Sequence, residues 1–172
     1  MGILHDFASS RRPEPVDAND SDNSICSPAS GRVIPLSEVK DPVFAMGMLG
    51  SGLGIEPSDG VAYAPVSGVV TAVVATRHAI ALKSDSGEEV LVHVGVDTVN
   101  LHGRGFKVFA EKGDRVQAGD ALIAFDRSVI RDAGLDDTVI VTVTNASDFA
   151  SVEQECSEDV SAGEPILTAK AS

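Results

Sequence analysis

The chain has 172 residues, 43% of them hydrophobic, which suits one domain with a sizeable core. Acids outnumber bases 26 to 13, and the net charge of -13 argues against a nucleic-acid groove or an anionic membrane surface as the main partner. No apolar run reaches the roughly 18 residues a membrane-spanning helix needs. Aromatics are 4% with no Trp, so Val, Ile, Leu and Ala must build the core.

The first ten residues admit two readings. Ile3, Leu4 and Phe7 fall on one face at helical spacing, which fits a short amphipathic anchor with weak membrane association; the same residues also fit a frayed end. The start has no basic stretch followed by a long apolar run, so no secretory signal is read there and a cytoplasmic protein is expected. Ser9 to Asn23 is rich in Pro, Asp, Asn and Ser, with little to bury, and residues 1–24 are expected to form a disordered tail. Residues 25–172 then form the single domain. Cys26 and Cys156 have neither a disulfide framework nor metal-ligand spacing, and read as two unrelated reduced thiols.

From Ser24 onward the signals are those of strands. Val69 to Val74, Glu89 to Val94, Ala121 to Phe125 and Thr138 to Val143 are short apolar or β-branched runs. Gly and Asp clusters such as Ser84-Asp85-Ser86-Gly87 and Ala118-Gly119-Asp120 separate them. Only Ser128 to Ala133 and Ala146 to Val152 read as helical. The expected fold is all-β: a compact antiparallel sandwich, barrel-like, with a few short helices. Two echoes suggest an internal pseudo-repeat. Ser27-Pro28-Ala29-Ser30-Gly31 resembles Ala64-Pro65-Val66-Ser67-Gly68, and Val116-Gln117-Ala118-Gly119-Asp120 resembles Val160-Ser161-Ala162-Gly163-Glu164.

Of the four histidines, His78 and His93 carry the most information. The strands after His78 and before His93 flank Ser84-Asp85-Ser86-Gly87, a hairpin turn. Centring that turn between Asp85 and Ser86 sets Lys83 opposite Glu88, Ile80 opposite Leu91 and His78 opposite His93. Directly opposed residues share a face, with Cβ atoms about 4.5–5.5 Å apart. Two imidazoles so placed fit three roles: a nucleophile with a helper, a pair of metal ligands, or packed core residues. His93 also opens the stretch His93-Val94-Gly95-Val96-Asp97-Thr98-Val99, where the strand must end and free backbone N–H groups can face an anion.

These residues resemble the glucose-type enzyme IIA domain of the bacterial phosphoenolpyruvate-dependent sugar phosphotransferase system. The resemblance rests on Asp41-Pro42-Val43-Phe44-Ala45, Ala64-Pro65-Val66-Ser67-Gly68, Thr76-Arg77-His78-Ala79, Leu91 to Val99 and Gly105-Phe106-Lys107, and runs from about Ser27 to the C-terminus. It implies a phosphotransferase of sugar transport that takes a phosphoryl group from the phosphocarrier HPr and passes it to a cysteine of a permease IIB domain. By matching position, His93 would carry the phosphoryl group on Nε2, His78 would stabilise it, Thr76 would orient His78, and the Gly95 backbone would fix the His93 tautomer. Asp41 and Asp97 would rim the docking face, with Val43, Phe44 and Met46 as its apolar surround. No cofactor is required. Some members bind zinc at the two equivalent histidines, so the resemblance also allows zinc at His78 and His93 with a partner carboxylate completing the tetrahedron. Regulated metabolic or transport proteins are further partners it allows.

Three positions depart from the family pattern: Val94 after the phosphorylated histidine, Arg77 before His78, and Gly50-Ser51-Gly52 where an acid is usual. They bear on partner affinity and on the sugar. A non-catalytic regulatory module is the main alternative reading. A zinc metallopeptidase is a remote one, since His93 and Asp97 match one ligand pair but no His-x-His is present.

Overall fold

The computed structural model describes residues 11–19, 21–156 and 158–171. The N-terminal anchor read from Ile3, Leu4 and Phe7 lies outside them. Among the described residues, short strands joined by tight turns build the domain: β1 (Ser24–Cys26), β2 (Gly31–Pro35), β3 (Ser51–Pro57), β4 (Val61–Tyr63), β5 (Gly68–Val73), β6 (Ala79–Ser84), β7 (Glu89–Val96), β8 (Phe106–Val108), β9 (Arg115–Val116), β10 (Ala121–Phe125), β11 (Asp136–Val143), β12 (Ser151–Gln154), β13 (Asp159–Val160) and β14 (Pro165–Lys170). Two short helices, α1 (Pro42–Ala45) and α2 (Arg127–Asp132), interrupt them. Each begins at an Asp whose carboxylate accepts from helix N–H groups: Asp41 from Val43, and Asp126 from Ser128 and Val129. No helix among the described residues is long and apolar enough to cross a membrane.

The large sheet runs β13-β2-β3-β11-β7-β6-β5-β9, and two three-stranded sheets, β1-β14-β12 and β4-β10-β8, complete the antiparallel sandwich. Alternation along β7 decides where the chemistry sits. Val90, Val92 and Val94 are fully buried in the main core, together with Val139 and Val141 of β11 and Leu53 and Ile55 of β3. Leu91 and His93 therefore point to the opposite face of the same sheet. A smaller apolar cluster of Ile34, Val39, Phe44, Val96 and Ile140 covers that face, with Leu91 packed against it.

The pseudo-repeat has a structural meaning that neither echo shows alone, because the two echoed motifs hold each other. In one half Ala64 N–H donates to the Asp120 carbonyl and Gly119 N–H to the Ala64 carbonyl. In the other half Ser27 and Glu164, then Gly163 and Ser27, make the same two bonds. The hydroxyls of Ser67 and Ser30 accept from Ala118 and Ala162 N–H, both at 2.9 Å. Each acid closes its own turn, Asp120 accepting from Gln117 N–H and Glu164 from Ser161 N–H.

Residues 11–19, read from composition as part of a free tail, lie along these paired turns. Val16 N–H donates to the Gly119 carbonyl and Asn19 N–H to the Gly163 carbonyl. Both glycines have φ of +93°, and a Cβ on either would fall 2.2 Å from the Val16 oxygen or 2.0 Å from the Asp17 oxygen. Further along, the Asn23 side chain donates to the buried Glu88 carboxylate, which also accepts from the Ser84 and Ser86 hydroxyls. The segment is held mostly by polar and backbone bonds, which a reading based on apolar content does not register.

Candidate functional site

The hairpin between β6 and β7 is one residue out of the expected register. Lys83 faces Glu89, Ala81 faces Leu91, and Ala79, not His78, faces His93. Ser84 N–H donates to the Glu88 carbonyl and Gly87 N–H to the Ser84 carbonyl, so Asp85, Ser86 and Gly87 form a three-residue loop, with Gly87 at φ +105°. A slip of this kind normally sends paired side chains to opposite faces. Here the rings still meet, edge to face, with centroids 4.8 Å apart and planes at 84°. His78 lies just outside β6, after Arg77 in the left-handed region at φ +64°, and so is released from the strand's alternation. Its carbonyl still accepts from Val94 N–H, and the small Ala79 opposite His93 leaves room for the second ring.

Thr76 Oγ1 and His78 Nδ1 are 2.9 Å apart, which fixes the orientation of the His78 ring. His78 is buried, and burial lowers its pKa; the Thr76 backbone opposes this in part. His93 is half-buried and its pKa is pushed down to about 4. Burial is the main cause, and repulsion from a protonated His78 adds to it, while the Gly95 backbone and the Asp41 charge act in the opposite direction. His93 is therefore a neutral imidazole at pH 7. Its Nδ1 is buried and closes no hydrogen bond, so the accessible part of the ring is its Nε2 side.

Phe44 packs on His93 with ring centroids 5.0 Å apart, and Phe106 sits at 6.4 Å from the His78 ring. Val43 and Met46, grouped with Phe44 by sequence, are 42% and 76% exposed. Phe44 is 2% exposed, because α1 turns its ring down onto the sheet. It forms a floor beneath His93 rather than part of an exposed surround. Asp41 is near enough for its charge to act on the His93 ring. Asp97 is exposed, in the left-handed region at φ +61°, and lines a neighbouring groove of about 480 Å³ with Lys40, Arg127 and Asp136.

Two further residues of this region, Lys40 and Thr98, carry no sequence signal of their own. The Lys40 ammonium lies 3.4 Å from Asp136, tying the approach to α1 to the start of β11. Thr98, five residues beyond His93, is fully buried. Among the described residues no group of three or more His, Cys, Asp and Glu side chains could hold a metal ion. The ring pair offers two ligands where a closed zinc site takes four, so the chain's own residues do not complete the zinc site that the resemblance allows.

An all-β sandwich that sets a neutral imidazole edge to face with a second one defines a β-sandwich domain with a paired-histidine site. The chain belongs to the EIIA 1 family of the phosphoenolpyruvate-dependent sugar phosphotransferase system, whose model matches residues 23–149. It is 48% identical over 129 residues to the raffinose carrier protein of Pediococcus pentosaceus, covering 75% of this chain but 20% of that protein. It thus spans about a fifth of the length of that relative. It is 37% identical over 150 residues to the glucose-specific EIIA component of Halalkalibacterium halodurans, covering 87% of each. Among solved structures it is similar to the glucose permease IIA of Mycoplasma capricolum, with a TM-score of 0.74, 34% identity, and coverage of 84% of this chain and 93% of that one.

Proposed function

We propose that the chain relays phosphoryl groups in sugar uptake, taking them from phospho-HPr on His93 Nε2 and giving them to a cysteine thiolate of a permease IIB domain. The observation that carries this is the state of His93: a ring neutral at pH 7, with Nδ1 buried and a second oriented imidazole at its edge. A neutral imidazole keeps a lone pair for attack on phosphorus; a cationic one has none.

In the first transfer the P–N bond of phospho-HPr breaks as the bond from phosphorus to His93 Nε2 forms, and HPr leaves with its imidazole free. In the second, the thiolate attacks the same phosphorus in line and the P–Nε2 bond breaks. No oxidation state changes. The protein's part is positioning and electrostatics. Thr76 engages Nδ1 of His78, which leaves the His78 Nε2–H to donate to a phosphoryl oxygen. The phosphoryl dianion also favours protonation of His78, so its assistance strengthens as negative charge arrives. Phe44 beneath the rings excludes water from one side of a hydrolysable intermediate.

The exposed Val43 and Met46, rimmed by Asp41 and Asp97, suit a partner that offers apolar and basic groups around its own phosphohistidine. Zinc is not needed for either step.

The test is reconstitution. With phosphoenolpyruvate, enzyme I, HPr and a family IIB domain, label is expected to pass from HPr to this chain and on to the IIB cysteine. Label that reaches the chain but never a IIB domain would favour the non-catalytic regulatory module instead. Label that never reaches the chain would refute the relay.

A further inference from the structure

The strand carrying His93 ends in an unusual piece of backbone. Gly95 has φ of +82° and Asp97 φ of +61°, so two left-handed residues stand within four positions of the ring. Such a segment has several ways to relax, and something must hold it. Thr98 does so with both branches of its side chain. Its hydroxyl donates to the Val94 carbonyl at 2.5 Å, closing the loop 94–98 on itself. Its methyl occupies the space above Gly95, where a Cβ would lie 2.3 Å from Thr98 Cγ2 and 2.8 Å from the Asp136 carbonyl oxygen. Thr98 is fully buried, so neither group serves solvent or a partner.

The segment so held borders the buried face of His93. Nδ1 on that face has no hydrogen-bond partner in the resting structure. The Gly95 backbone raises the pKa of the ring, the direction of a nearby acceptor, although no bond of good geometry closes on Nδ1. A small movement of this peptide would decide whether Nδ1 carries the proton, and hence whether Nε2 carries the lone pair.

We propose that Thr98 is a positioning residue for His93, its hydroxyl and methyl together holding the Gly95 peptide so that the ring keeps its proton on Nδ1 and presents Nε2 as the reactive nitrogen. This rests on the reading of His93 as phosphoryl acceptor. It assigns distinct work to the two branches: the hydroxyl closes the loop, and the methyl blocks the collapse of Gly95.

Two substitutions separate these roles. Thr98→Val keeps the shape and removes the hydroxyl; Thr98→Ser keeps the hydroxyl and removes the methyl. The first readout is the 15N shifts of the His93 ring in the unphosphorylated protein at pH 7.5, which report the tautomer without any partner. The parent should show mainly the Nδ1–H form, and Thr98→Val a clear rise in the Nε2–H form. The second readout is the rate of phosphoryl acceptance from phospho-HPr, which should fall roughly tenfold in Thr98→Val and less in Thr98→Ser. A parental tautomer ratio in both variants would overturn the proposal, whatever happened to their stability. A shifted ratio with an unlabelled parent protein would leave the positioning intact and refute the acceptor reading instead.

Discussion

The lowered pKa of His93 makes stability depend on pH in a way that one substitution can isolate. An unfolded histidine titrates near 6.5, and the folded His93 near 4. Above pH 6.5 both states hold the ring neutral and it contributes no pH dependence. As pH falls from 6.5 towards 4, the unfolded chain takes up a proton that the folded chain refuses, so stability is lost across that window and no further below it. Linkage between these two values gives a loss of about 2 kcal/mol at pH 5 and about 3 kcal/mol once both forms are protonated. His93→Gln removes the titrating group while keeping a polar side chain of similar reach. Urea unfolding of both proteins between pH 8 and 4.5 should show curves whose separation changes by about 2 kcal/mol between pH 7.5 and 5, the parent losing more. Taking the difference removes the titration of the many carboxylates common to both. A separation that stays flat over that range would mean that His93 titrates normally, and the argument for a neutral nucleophile held by burial would fail.

Other outcomes follow from the same geometry. His78→Gln should still accept phosphate from HPr but pass it to a IIB domain at least tenfold more slowly, since an amide cannot gain the proton that imidazole can; transfer kinetics at the parental rate would remove His78 from the mechanism. Asp41→Asn and Asp97→Asn should each slow acceptance from HPr more than Glu158→Gln does, as rim charges act on association; equal effects at all three would leave only the bulk charge. Gly163→Ala should lower stability by about 1–3 kcal/mol in denaturant unfolding, because φ is positive and the Asp17 carbonyl fills the space of a Cβ; an unchanged midpoint would show that the 16–19 segment is not held at that turn.

Much of this fold follows from local pattern. The valines of β7 alternate with Leu91 and His93, and that period alone puts the histidine on the face away from the main core. The turn at Ser84 to Gly87 was also legible, and its length is set by the place of Gly87. A two-residue loop favours Asn-Gly, Asp-Gly or Gly at its first position, which Asp85-Ser86 lacks, whereas Gly87 in the left-handed region suits the third position of a three-residue loop. Centring the turn between Asp85 and Ser86 gives a wrong register and yet a correct pairing of rings, because Arg77 breaks the pleat before His78. A left-handed arginine has no sequence signal comparable to that of a glycine. Phe44 shows a different limit. Its neighbours Val43 and Met46 have similar hydropathy, and which of them turns inward depends on the phase of a helix only four residues long. The segment before Asn23 was hidden because backbone bonds hold it, and the role of Thr98 because its partners are a carbonyl and a glycine that any residue type could flank.

In the proposed relay His93 Nε2 is the atom that bears the phosphoryl group. The direct measurement is to label the chain from phosphoenolpyruvate through enzyme I and HPr, and to locate the phosphorus by peptide mapping together with 31P and 15N NMR of the intact protein. One acid-labile, base-stable phosphate is expected on His93, bonded at Nε2, and none on His93→Ala. Phosphate found on His78, on Nδ1 of His93, or undiminished on His93→Ala would contradict that relay.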